Sequence, residues 1–215
     1  MPGELRAVLF DLDGTLVDTE GLWWQAYAEV AARLGGPATD ADAGHVHGLT
    51  IDAAAGHLLR RLRGEPPGAA GAGPDARDRV TALLTRAYAE RVARGFSVLP
   101  GAIELLDALA AEGVATALVT SSPRSITETV LRRLGPHRFR VTVTADDAPR
   151  GKPAPEPYLL AMAGLGVGPA GCVAIEDSTT GAASAAAAGC AVLVVEPGGL
   201  RSVSPPLLRD FVADH

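Results

Sequence analysis

The sequence predicts an α/β fold: a Rossmann-like parallel sheet sandwiched by helices, with an all-helical cap inserted near the amino terminus. Three observations carry this. Short apolar runs alternate with helix-length periodic segments over much of the chain, the pattern of parallel strands joined by crossover helices. Those runs are continuous rather than alternating with polar residues, as in a sheet covered on both faces. The alternation then breaks over residues 15–97, where only helical patterns occur.

Ala7-Val-Leu-Phe10 reads as the first strand and ends directly in charge. Val114 to Val119, Val141 to Val143, Cys172 to Ile175 and Ala191 to Val195 read as the others. Helices are expected over Ala102 to Glu112, Arg124 to Leu134, Pro155 to Leu165 and Thr179 to Ala188. Within the break, Trp23, Tyr27, Val30 and Leu34 recur at helical spacing, as do Val80, Leu83, Ala87 and Val92. Gly64 to Pro74 is rich in Gly, Pro and Ala without periodicity, hence a loop. Leu99-Pro100-Gly101 marks the return. The expected division is a core of residues 1–14 and 98–215 and a strand-free cap of residues 15–97.

The chain has 215 residues, 47% of them hydrophobic and 20% charged, which fits one folded core with a smaller module. A net charge of −6 without any basic run argues against nucleic acid or an anionic membrane as partner. No apolar stretch approaches the roughly 18 residues of a membrane span. Met1 to Arg6 lacks the charged and apolar regions of a signal peptide, so a cytoplasmic protein is expected. Its two cysteines, Cys172 and Cys190, are too few for a disulfide framework and read as buried thiols, with a redox pair as the alternative.

The chemistry lies at the strand ends. The first strand runs into Asp11-Leu12-Asp13-Gly14-Thr15. Ligands of open α/β sheets gather beyond the carboxyl ends of strands, and carboxylates at i and i+2 share a face. Gly14 permits a sharp turn directly after them. Crowded carboxylates call for a cation, and oxygen-only ligands favour Mg²⁺. The plainer alternative is a strand end capped by solvated aspartates. Leu118-Val119-Thr120-Ser121-Ser122 places hydroxyls and free N–H groups at another strand end, a site for phosphate oxygens or simply a helix cap. Lys152, set between Gly151 and Pro153, offers a point charge on a stiff mount, or a solvated loop lysine. Val173 to Ile175 leads into Glu176 and Asp177, two further hard ligands.

These four segments, in this order, resemble the haloacid dehalogenase superfamily, and within it the small sugar- and hexitol-phosphate phosphatases and β-phosphoglucomutases. The resemblance implies a Mg²⁺-dependent phosphatase acting on a small phosphomonoester, of the sugar or sugar-alcohol phosphate class. It implies that Asp11 attacks phosphorus and that Asp13 serves as acid and then base. It implies that Thr120 and Lys152 hold the phosphate. Mg²⁺ would rest on Asp11, Asp13 through its main-chain carbonyl, and Asp177, with Glu176 as a ligand or directly behind the ligands. The Asp18-Thr-Glu20-Gly-Leu-Trp23 segment and Ser122-Pro123 look most like hexitol phosphatases. Residues 18–19 and 96–100 would be hinges, and His47-Gly48-Leu49-Thr50 resembles the cap's specificity loop.

Substrate contacts are assigned to Ser121, Glu20, Trp23 and His47, with Gln25 and Thr50 as further hydroxyl-binding candidates; core packing is the alternative for Trp23. A metal site at His45 and His47 is the weaker reading of that pair. The partner is a small phosphorylated metabolite and the expected state a monomer, with a dimer as the alternative. The rival activity is a β-phosphoglucomutase-like phosphomutase. Such mutases carry a cap histidine and a cap arginine where this chain has Trp23 and Ile51.

Overall fold

The apolar run after Arg6 forms β1 (Ala7–Phe10), buried at every residue, in a computed structural model that describes residues 4–66, 73–196 and 198–214. Next come β2 (Val17–Asp18), α1 (Glu20–Arg33), α2 (Asp40–Val46), α3 (Ile51–Leu62), α4 (Pro74–Arg94) and β3 (Ser97–Val98). The chain continues through α5 (Ala102–Ala111), β4 (Ala115–Val119), α6 (Arg124–Leu134), β5 (Val141–Val143) and α7 (Glu156–Leu165). It ends with β6 (Cys172–Glu176), α8 (Thr179–Ala187), β7 (Ala191–Val194) and α9 (Pro205–Ala213).

Five strands form one parallel sheet in the order β5-β4-β1-β6-β7. Phe10 stands in register with Leu118 on one side and Ile175 on the other. Successive strand residues face opposite ways. Val8 and Phe10 pack with Leu105, Leu109, Ile126 and Val130, whereas Ala7 and Leu9 pack with Tyr158, Ala161 and Met162. The sheet is therefore helix-covered on both faces, as its apolar strands require. The chain leaves β1 toward β4 and β5, then crosses to β6 and β7, so the order reverses beside β1. That reversal point is where sheets of this kind place ligands.

The expected strands and helices form within a residue of their anticipated ends. Three differences have physical reasons. Residues 15–97 are not strand-free: β2 and β3 pair antiparallel, Val17 with Val98 and Asp18 with Ser97, and two-residue strands leave no periodic trace. On α4 the buried stripe runs Val80, Leu84, Ala87, Tyr88 and Val92, while Leu83 is exposed, because the helix follows i+4 from Val80. Helix α9, not anticipated, is capped by Ser204, whose hydroxyl accepts from the Leu207 amide, and it buries Leu208 and Val212. Of the expected loop Gly64–Pro74, residues 67–72 lie outside the described residues.

Helix α4 packs between α1 and α3. Beneath them, Asp42 of α2 is 2% exposed yet gathers Thr39, His57, Arg61 and Tyr27. Cys172 and Cys190 are buried free thiols, as expected, and burial pushes them up to about 11 and about 12. Among the described residues no helix is long and apolar enough to cross a membrane.

Candidate active site

Three adjacent strands, β4, β1 and β6, end at one edge and deliver Thr120, Asp11 and the Glu176–Asp177 pair. The Asp11 amide continues the ladder, donating to the Ile175 carbonyl at 3.0 Å. The chain then turns within six residues. Leu16 and Val17 amides both donate to the Leu12 carbonyl, and Gly14 adopts φ 87°. A side chain on Gly14 would fall inside the Asp177 carboxylate, so glycine is required by both conformation and space.

Lys152 enters from the loop before α7 and is 6% exposed. Its ammonium has three protons and three acceptors: Asp11 Oδ1 at 2.6 Å, Glu176 Oε1 at 2.5 Å and the Val119 carbonyl at 2.9 Å. Burial opposes its charge, but Asp11 and Glu176 outweigh that and raise its pKa. Glu176 is fully buried and also accepts from Tyr158 and Ser178 hydroxyls. It thus braces Lys152 from behind.

Asp13 has a different environment. Its Oδ1 accepts from Thr19 at 2.6 Å and Tyr88 at 2.7 Å; its Oδ2 accepts from Ser122 at 2.7 Å and Thr120 at 3.3 Å. Burial, then the Asp13 charge, push the Tyr88 phenol well above its ordinary value, so it remains a donor. Tyr88 arrives from α4, 75 residues along the chain.

Both acids open onto a cavity of about 560 Å³, its mouth included, roofed by Glu20, Trp23, His47, Leu49, Ile51 and Tyr88. Ser121 lines it and donates to the Gly48 carbonyl at 3.2 Å, holding the 47–50 loop against the core. His47 hydrogen-bonds Glu20 through Nδ1, and its Nε2 lies 3.8 Å from Asp177. That hydrogen bond lowers the Glu20 pKa and raises that of His47.

Of the anticipated residues, Asp11, Asp13, Lys152, Asp177, Ser121, Glu20, Trp23 and His47 converge on this cavity. Thr120 and Glu176 sit behind its wall, 3% and 0% exposed. Trp23 meets Tyr88 edge-on with centroids 5.5 Å apart, packs on the core and also lines the cavity. Gln25 does not reach the site: two residues past Trp23, it lies round the helix and is exposed. Thr50 instead caps α3, accepting from the Ala53 amide. His45 and His47 point apart; His45 stacks on His57 with centroids 4.2 Å apart. Tyr88 and Tyr158 were not anticipated, because tyrosines at helical spacing read as core.

Carboxylate oxygens of Asp11, Glu176 and Asp177 lie within 4.8 Å of one another. Burial, then, despite Lys152, repulsion by Glu176, Asp177 and Asp13, raises the Asp11 pKa well above the carboxylate range. Burial and Glu176 push Asp177 up to about 6. A divalent cation among these carboxylates would offset the repulsion that raises Asp11 and Asp177, and an all-oxygen donor set fits Mg²⁺.

The model of the haloacid dehalogenase-like hydrolases matches residues 5–189. Protein CbbY of Rhodobacter capsulatus is 36% identical over 206 residues, covering 89% of this chain and 85% of that protein. Hexitol phosphatase A of Escherichia coli (strain K12) is 34% identical over 191 residues, covering 88% and 82%. A β-phosphoglucomutase from Clostridium difficile superposes with a TM-score of 0.83 over 98% of each chain at 20% identity, a likeness of fold. The match over most of its length, and relatives above 30% identity, place this chain in the haloacid dehalogenase-like hydrolase family.

Proposed function

We propose that this chain is a phosphatase that cleaves a small sugar or sugar-alcohol phosphomonoester through an aspartyl-phosphate on Asp11. The observation that supports it most is the contrast between two carboxylates two residues apart. Asp11 faces the buried Lys152 ammonium, whereas Asp13 faces only hydroxyls. Divergent environments of this kind separate a nucleophile from an acid–base group.

Asp11 attacks phosphorus as the bond to the leaving alkoxide breaks, and Asp13 gives its proton to that oxygen. Water then attacks the phosphorus of the acyl-phosphate while Asp13 takes its proton; orthophosphate departs and Asp11 is regenerated. Lys152 neutralises the non-bridging oxygens and the Ser121 amide donates to them, which matters because phosphoryl transfer depends on positioning and charge. Asp11, Asp177 and the Asp13 carbonyl would hold Mg²⁺, with Glu176 bracing Lys152. Bound there, the ion supplies further neutralisation of the transferring group.

The division into a core of residues 1–14 and 98–215 and a cap of residues 15–97 belongs to this reading, with the β2–β3 pair as the hinge. Closure of the cap excludes competing water. The chain works as a monomer in the cytoplasm on a phosphorylated metabolite. Release of orthophosphate from sorbitol 6-phosphate and p-nitrophenyl phosphate, with Mg²⁺ and then with excess chelator, tests the reading. Mg²⁺-dependent release is expected; none from any phosphomonoester would overturn it.

A further inference from the structure

The outer half of the cavity has an unusual charge balance. Among the described residues lining the cavity the cationic side chains are Lys152 and His47, against Asp11, Asp13, Glu20 and Asp177. All three Lys152 protons are taken by Asp11, Glu176 and the Val119 carbonyl. His47 lies between two carboxylates, bonded to Glu20 and 3.8 Å from Asp177. The remaining roof is Trp23, Leu49, Ile51 and Tyr88, whose hydroxyl is already given to Asp13, and it offers an anion nothing.

We propose that this half of the site selects against a second anionic group on the substrate, and that Glu20 sets the selection. The inference rests on the phosphatase reading and deepens it. A carboxylate or second phosphate on the leaving group would lose its water without gaining a cation, beside a like charge. A hydroxyl or an ammonium there can instead donate to the Glu20 carboxylate, whose Oε1 alone is engaged by His47. Trp23 adds a flat face for the C–H side of a polyol. The leaving group selected is thus neutral or cationic and polyhydroxylated. Sugar bisphosphates and phosphorylated sugar acids are excluded.

The test compares sorbitol 6-phosphate with 6-phosphogluconate, which carries a carboxylate at carbon 1, and glucosamine 6-phosphate with glucose 6-phosphate. Turnover is measured for each. Each is also titrated as an inhibitor of p-nitrophenyl phosphate turnover, so that a poor substrate still reports its binding. The polyol phosphate is expected to exceed the acid by about tenfold or more in kcat/KM and in inhibition, and the amine to match or exceed its parent sugar. Glu20→Gln should shrink the gap between polyol and acid. Equal or better use of the acid, neither turnover nor inhibition by the polyol phosphate, or an unchanged gap in Glu20→Gln overturns the selection. Failure of p-nitrophenyl phosphate itself to turn over would instead strike the phosphatase reading.

Discussion

Four hydroxyls converge on Asp13, and one comes from a distant helix: Tyr88 on α4. The position of the carboxylate proposed as acid and base therefore depends on where α4 stands. Removing that single donor costs one hydrogen bond to a charged group, about 1.5–3 kcal/mol. Tyr88→Phe should lower kcat on an alkyl phosphate by about tenfold or more. Turnover of p-nitrophenyl phosphate should fall less, since its leaving group needs little protonation. Steady-state kinetics on the two substrates checks this; equal losses would mean that Tyr88 only packs. Asp11, Asp13, Lys152 and Asp177 were legible in the sequence because each stands in a short motif at a strand end. Tyr88 was not, because its partner lies 75 residues away and its spacing is that of any buried helical residue. Gln25 and Thr50 were misjudged for a related reason: polar type names a candidate, but only helix phase and capping decide where it points.

Among the elements, α8 packs tightly behind the site. A side chain on Gly181 would overlap the Glu176 carboxylate, which is fixed by Lys152, Tyr158 and Ser178. Gly181→Ala must therefore displace a buried ionic partner or the helix. A loss of about 2–4 kcal/mol in urea unfolding is expected, together with most activity; an unchanged midpoint would refute the packing. Helix α2 carries the second element-scale expectation. Burial opposes the Asp42 charge, but hydrogen bonds from His57 and Thr39 and the Arg61 charge outweigh it and lower its pKa. A lowered folded pKa contributes stability that is present above the ordinary carboxylate value and lost as pH falls through the folded one. Asp42→Asn should thus cost about 2–3 kcal/mol at pH 7, and its gap to wild type should narrow as pH falls below about 4. Urea midpoints across pH 3–7 measure that; a constant gap would contradict it. The sheet strands and their helices were legible from apolar runs because burial on both faces leaves a continuous signal. The β2–β3 pair was not, since its four residues are positioned by the turn after Asp13 rather than by pattern.

At the scale of the whole molecule, residues 15–97 meet the rest of the chain through charge as well as packing. Ser121 holds the Gly48 carbonyl, and His47 faces Asp177 across the cavity. Beneath them lie three carboxylates and one lysine, an arrangement that a divalent cation would stabilise. A ligand bound only by the folded state raises stability by about 2.7 kcal/mol at a hundredfold excess over its Kd. Mg²⁺ should therefore raise the melting temperature, and Asp177→Asn should abolish most of that rise along with Mg²⁺-dependent turnover. Calorimetry with and without chelator checks it; an identical Mg²⁺ response in the variant would remove Asp177 from the metal site.

The central claim is the covalent step on Asp11, and its most direct test is rapid acid quench after brief exposure to substrate, followed by peptide mass spectrometry. The expected result is one phosphoryl group on the peptide carrying Asp11, absent from Asp11→Asn, which should remain folded because the amide fills the same volume but cannot attack phosphorus. Phosphate released at full rate with no phosphoryl group on Asp11, or wild-type turnover in Asp11→Asn, would contradict it.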